Sequence, residues 1–165
     1  MVFSSKAAGL ILLWLGLAAR QAGAVDNCLD LVTAVESATG TNATTITLEA
    51  DIVCNTHIEI STSQNVEIMS DAAGPHTLTI GVQFAGAQAT EATGAASLII
   101  NQGTLSINGV NFATESLDGT RAIYNSGTLS VLASEFNLFH DGGFINEGGA
   151  VSGVVSSSPW VLFQK

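Results

Sequence analysis

The groups available for chemistry are fourteen carboxylates, three histidines and, between Arg20 and Lys165, a single basic residue, Arg121. Elimination on a uronate polymer needs a base, often Arg or Lys, and acids that hold calcium against the uronate charge. Arg121 is the one base placed for that work. Asp118 and Asp141 each lead an Asp-Gly pair, 23 residues apart. Stacked over one another they would form a carboxylate ladder for Ca²⁺, with Glu115 or Glu135 contributing. Solvated turn acids are the simpler reading of the same residues, and no cofactor is required. Hydrolysis of a glycosidic bond needs two carboxylates at a defined separation across a cleft. With fourteen acids such pairs are inevitable, so acid content selects no enzyme. His57, His76 and His140 stand singly, without metal-ligand spacing. There is no Gly-x-Ser-x-Gly nucleophile elbow and no Gly-rich phosphate loop. Catalytic residues are therefore not assigned.

The stronger signal is a repeat that would position such groups. "NQGTLSINGVNF" (101–112) returns 24 residues later as "NSGTLSVLASEF" (125–136). Asn101 matches Asn125, Leu105 matches Leu129, Ile107 matches Val131 and Phe112 matches Phe136. A looser third copy sets Ile145 to Ser152 22 residues after Ile123 to Ser130. Self-similarity at this period is what stacked coils of three short strands require, with equivalent residues piled at the inter-strand spacing of ~4.8 Å. Leu105 and Leu129, and Phe112 and Phe136, then stack inward, Ser106 and Ser130 outward. Asn101 and Asn125 form an amide ladder at a turn.

The strands that carry the coils alternate with period 2. Ile46 and Leu48, Ile58 and Ile60, Val66 and Ile68, and Leu78, Ile80 and Val82 fall on one face of their segments, bounded by Gly, Asn, Asp and Ser. The 83–96 stretch reads as a longer loop. Before the strands, "DNCLDLVTAVESATG" has Cys28, Leu31, Val32 and Val35 at i, i+3, i+4 and i+7, one apolar stripe of a helix. Asp26, Asn27 or Asp30 can cap its start, and Gly40 can end it. A short amphipathic helix suits the open end of a stack of coils, whose first edge must be covered. The spacing therefore predicts a capping helix in 25–40, coils over 41–152 and an irregular tail over 153–165, all in one domain.

The ends fix the compartment. Lys6, the apolar run Ala7 to Ala19 and the small-x-small Ala22-Gly23-Ala24 have the order of a secretory signal peptide, residues 1–24, cut after Ala24. The run is shorter than the ~20 apolar residues needed to span a bilayer, so no membrane span is expected after cleavage. Cleavage removes Lys6 and Arg20 and leaves Arg121 and Lys165. Fourteen acids then face two bases, for a formal charge of −12, against −10 for the whole chain. Such a chain repels nucleic acid and acidic membrane surfaces. In a secreted chain Cys28 and Cys54 form one disulfide. Asn42-Ala43-Thr44 is the single N-glycosylation sequon.

"AIYNSGTLSV", "NQGTLSINGVNF", "GGAVS" and the entry "LVTAVESATGTNATTITLEADI" resemble the secreted right-handed parallel β-helix proteins of the pectin lyase-like superfamily. They are nearest to the repeats of chlamydial polymorphic outer membrane proteins. Gly148-Gly149-Ala150-Val151 matches that repeat's Gly-Gly-Ala-Ile motif, while its Phe-x-x-Asn motif is not met by Phe112 or Phe136. The resemblance implies an all-β, right-handed parallel β-helix, secreted to the extracellular side. The function expected is a non-catalytic binding, adhesion or structural module of a cell surface or extracellular matrix, with carbohydrate or extracellular protein as partner. The alternative is a polysaccharide-active lyase, hydrolase or epimerase, or a fragment of one. A second alternative uses the Thr-x-Thr pairs Thr45/Thr47 and Thr77/Thr79 as a flat face for ice or a crystalline glycan.

Overall fold

The computed structural model describes residues 20–84, 97–115, 120–137, 139, 143–155 and 163–164. Strand β1 (Arg20–Val25) is followed by helix α1 (Cys28–Ser37). Then come β2 (Thr44–Leu48), β3 (Ile52–Cys54) and β4 (Ile58–Ile60), and β5 (Asn65–Ser70), β6 (His76–Ile80) and β7 (Ser97–Asn101). A further run is β8 (Thr104–Asn108), β9 (Val110–Thr114) and β10 (Arg121–Asn125). The last are β11 (Thr128–Ser134), β12 (Phe136–Asn137), β13 (Phe144–Asn146), β14 (Ala150–Val155) and β15 (Phe163–Gln164).

These strands make three sheets, in which nearly every strand from β2 onward pairs with the strand three places further along. The first sheet has the order β1-β2-β5-β8-β11-β14, the second β3-β6-β9-β12 and the third β4-β7-β10-β13-β15. Every pairing is parallel. The cause is visible in the sequence. Each short strand buries alternate residues, as in β2, where Thr44, Ile46 and Leu48 are buried and Thr45 and Thr47 half-buried. Parallel pairing in register then sets like over like: Leu105 beside Val66 and Leu129, Ile107 beside Ile68 and Val131. All six are buried in one core with Ile58, Ile60, Ile99 and Ile123. Each such side chain contributes about 1.5–3 kcal/mol of apolar burial.

Helix α1 lies against β4 and also touches β1, β2 and β3. Leu31 and Val35 are fully buried from its inner face, with Cys28 and Val32 packed partly behind them. The Asn27 side chain caps its start by accepting from the Asp30 amide at 3.0 Å. The helix occupies 28–37 of the 25–40 expected, because the Ala38 amide turns back to the Val35 carbonyl oxygen at 3.0 Å and Gly40 already lies in the loop at φ +89°. The Cys28–Cys54 disulfide, with Cα atoms 5.3 Å apart, ties the first residue of the helix to the last of β3. No helix among the described residues is long and apolar enough to cross a membrane.

The structure departs from the sequence reading at three places. Val82 does not join Leu78 and Ile80 inside: β6 ends at Ile80, the chain turns at Gly81, and Val82 is 72% exposed while Phe84 is buried. The third copy of the repeat is not offset uniformly by 22. Asn146 lies opposite Asn125 but Ala150 lies opposite Thr128, so the turn between β13 and β14 holds one extra residue. Gly148, at φ +76°, lies in that turn, in a conformation that a side chain disfavours. The tail after Ser152 is not wholly irregular, since β14 runs on to Val155 and Phe163–Gln164 pairs with β13. Strand β1 includes Arg20 to Ala24, which the sequence reading assigns to the cleaved leader, so it belongs to the uncleaved chain.

Candidate functional site

The residues expected to stack are brought together in the interior. Asn101 Nδ2 donates to Asn125 Oδ1 at 2.6 Å, and Asn125 Nδ2 donates to Asn146 Oδ1 at 2.7 Å. Asn146 is a third member that the uniform offset concealed. Phe112 and Phe136 stack with ring centroids 4.9 Å apart and planes 9° from parallel, and Phe139 meets Phe136 edge-on at 6.4 Å. The adjoining turns approach so closely that a side chain on Gly127 would come within 2.2 Å of the Gly103 carbonyl oxygen. The asparagines and phenylalanines are buried, so they can hold the fold but cannot meet a ligand.

Surface chemistry collects instead where α1 meets the third sheet. Gln64, in the turn after β4, builds the junction. Its Nε2 donates to the carbonyl oxygens of Val35 at 2.7 Å and Ala38 at 2.9 Å, and its Oε1 accepts from the Ser61 amide at 2.7 Å. One side chain thus satisfies the Ala38 carbonyl just past the helix and adds a second donor to that of Val35, which already accepts from the Ala38 amide. Beside it lies a groove of about 450 Å³. Ile60 and Ile100 contribute its apolar lining, and Glu36, Glu59, Ser61 and Gln102 its exposed polar one.

The outer face of the third sheet carries a row of residues on from Glu59 and Ile100 of the groove. Register sets Glu59 beside Ile100, Ile100 beside Tyr124 and Tyr124 beside Ile145. Ile99 and Asn101, and Ile123 and Asn125, point inward and are buried, which leaves Ile100 and Tyr124 half-exposed outside. The Tyr124 hydroxyl donates to the Glu147 carboxylate. That bond, and to a lesser extent burial, pushes the phenol above its usual pKa. The outer row thus joins carboxylates to one aliphatic and one aromatic residue.

Elsewhere several ionisable groups serve turns. His76 Nε2 lies 3.0 Å from Asp71 Oδ1, and Asp51 Oδ1 accepts from the Thr77 amide at 2.8 Å. The Ala73 amide first and His76 second hold the Asp71 carboxyl below its ordinary pKa. A shallower groove of about 370 Å³ adjoins this corner, lined by Asp71, Asn108 and Ala133 among others. His57 Nδ1 is 2.8 Å from the Ser97 carbonyl oxygen, and its ring meets Phe84 edge-on at 4.9 Å. Arg121, the base considered for elimination chemistry, is 8% exposed.

Asn42 is exposed, while Thr44 of its sequon is buried in β2. Asp118, Asp141 and His140 lie outside the described residues. Among the described residues no three His, Cys, Asp or Glu side chains are placed to share a metal ion. Thr45 and Thr47 lie on β2 of the first sheet, whereas Thr77 and Thr79 lie on β6 of the second, so the two Thr-x-Thr pairs do not share a face. Comparison with known proteins finds no matching family model, no matching curated protein and no matching solved structure.

Proposed function

We propose that this is a secreted, right-handed parallel β-helix closed at one end by α1, and that it works as a non-catalytic binding module at a cell surface or in an extracellular matrix. The groove between α1 and the third sheet is its ligand site. The observation that carries this reading is the outer row Glu59, Ile100 and Tyr124 running out of that groove. It offers hydrogen-bond acceptors beside half-exposed apolar surface, which is the make-up of a recognition surface. The disulfide supports an oxidising compartment. The polysaccharide lyase reading has less support, because a base acting on a polymer has to reach the surface and Arg121 is buried.

The test uses purified protein collected from the medium, applied to the surface or matrix of the cells that produce it. Saturable retention that falls with Ile100→Asp is the expected result. In parallel, uronate and neutral polysaccharides incubated with the protein, with and without calcium, keep their chain length. Clear shortening of a polymer, or retention indifferent to Ile100→Asp, overturns the reading.

A further inference from the structure

The pairing of β1 bears on where the leader ends, an inference that rests on the secretion in the reading above. A cut after Ala24 would discard Arg20 to Ala24 and with them the pairings to Thr44, Thr45 and Thr47. Strand β2 would then be the end strand of the first sheet. Its sequence, "TTITL", has no charge and no proline, and every residue but Leu48 is β-branched. A bare edge of that kind is a template for pairing with other chains, and folded proteins blunt or cover it. The other two edges at this end are already managed. Strand β3 is only three residues long, and α1 lies against β4. Strand β1 is the matching cover for β2.

Val25 supplies a second argument. The same cut would turn its amide nitrogen into a charged α-amine. Val25 is 6% exposed and belongs to the core. It lies opposite Leu48, and its carbonyl oxygen accepts from the Glu49 amide at 3.0 Å. Charge placed on so enclosed a residue is penalised, so either the ammonium is drawn towards the core or Val25 leaves it.

The sequence holds another cleavage site upstream. Gly16-Leu17-Ala18 is also small-x-small. It directly follows the apolar stretch Ala7 to Leu15, whose length suits the h-region of a leader, with Lys6 ahead of it. We propose that signal peptidase cuts after Ala18. Water is added across the Ala18–Ala19 peptide bond, leaving a carboxylate on Ala18 and the new α-amine on Ala19. The leader is then 1–18. The mature chain begins Ala19-Arg20 and keeps β1 whole, so that α1 and β1 together cover the first end of the sheets.

The full-length chain is expressed in the cells that produce it, and the protein in the medium is read by intact mass and N-terminal sequencing. The expected chain starts at Ala19. Ala18→Leu, which puts a large residue before the scissile bond, lowers that product roughly tenfold, whereas Ala24→Leu leaves its start and amount unchanged. Hydrogen exchange of the secreted protein shows residues 20–25 protected roughly tenfold or more over a free peptide of the same sequence. A chain that starts at Val25, a start that moves with Ala24→Leu, or unprotected exchange over 20–25 overturns the inference while leaving secretion intact. A cell-bound chain that still starts at Met1 overturns it together with the secretion on which it rests.

Discussion

Replacing Asn125 probes the interior ladder at its central member. Its side chain is fully buried and joins Asn101 on one side and Asn146 on the other, at 2.6 and 2.7 Å. Asn125→Ala removes both bonds, about 1 kcal/mol net each, and leaves the buried Asn146 Oδ1 without this donor, at a further 1–3 kcal/mol or so. Asn101 Nδ2 keeps the Thr128 carbonyl oxygen at 3.0 Å, which limits the loss on that side. The sum is a destabilisation of about 3 to 5 kcal/mol, a large part of the 5–15 kcal/mol or so typical of a domain. Urea unfolding followed by circular dichroism measures it. Asn125→Asp adds a sign test. The introduced carboxylate still accepts from Asn101 but faces Asn146 Oδ1, and burial raises a carboxyl pKa. The deficit is therefore full where that carboxyl is ionised in the folded state. It shrinks as pH falls through the raised folded pKa, because the protonated group donates to Asn146. A loss below about 0.5 kcal/mol for Asn125→Ala, the size of an ordinary surface change, would refute the ladder. So would an Asn125→Asp deficit that stays constant between about pH 5 and pH 8.

Two further outcomes follow. Cys28→Ser with Cys54→Ser frees α1 from β3 and lowers stability by about 3 to 4 kcal/mol for a loop of this length, read in the same urea assay. The depressed Asp71 carboxyl stabilises the fold at pH values above its unfolded pKa of about 3.9 and loses that contribution as pH falls through its lower folded value. Asp71→Asn therefore lowers the midpoint of thermal unfolding near neutral pH and flattens the acid limb below about pH 4; a limb as steep as the parent's contradicts this.

Much of the architecture is local in the sequence, and that part was legible. Period-2 alternation marked Ile46 and Leu48, or Val66 and Ile68, as inward pairs, and the 24-residue echo set Leu105 against Leu129 and Phe112 against Phe136. What failed depended on turns. One extra residue near Gly148 shifts β14 relative to β13, and a similarity score sees only a weaker match. Val82 continues the apolar alternation of β6, yet the turn at Gly81 ends the strand before it. The groove was illegible for a different reason. Glu36 comes from the helix, Glu59 from β4, Gln64 from a turn and Ile100 from β7, so no short stretch carries its signature. The apolar outer row could have been suspected from "SLIIN" and "RAIYN", where the position between two inward residues is itself Ile or Tyr.

Parallel pairing in register is the claim on which the interior ladder, the groove and the outer row all depend. It is tested most directly by engineered cross-links on the outer face of the first sheet. Ser106 and Ser130 lie opposite one another on β8 and β11. At a spacing of about 4.8 Å their Cα atoms fall inside the range of roughly 4.4–6.8 Å that a disulfide accepts. Mass spectrometry of unreduced proteolytic peptides from the Ser106→Cys, Ser130→Cys chain should find the two joined within one molecule. The pair Ser106→Cys, Leu132→Cys, two residues out of register and about 8 Å apart, should remain unlinked. A bond in the second pair and none in the first would contradict the register and everything built on it.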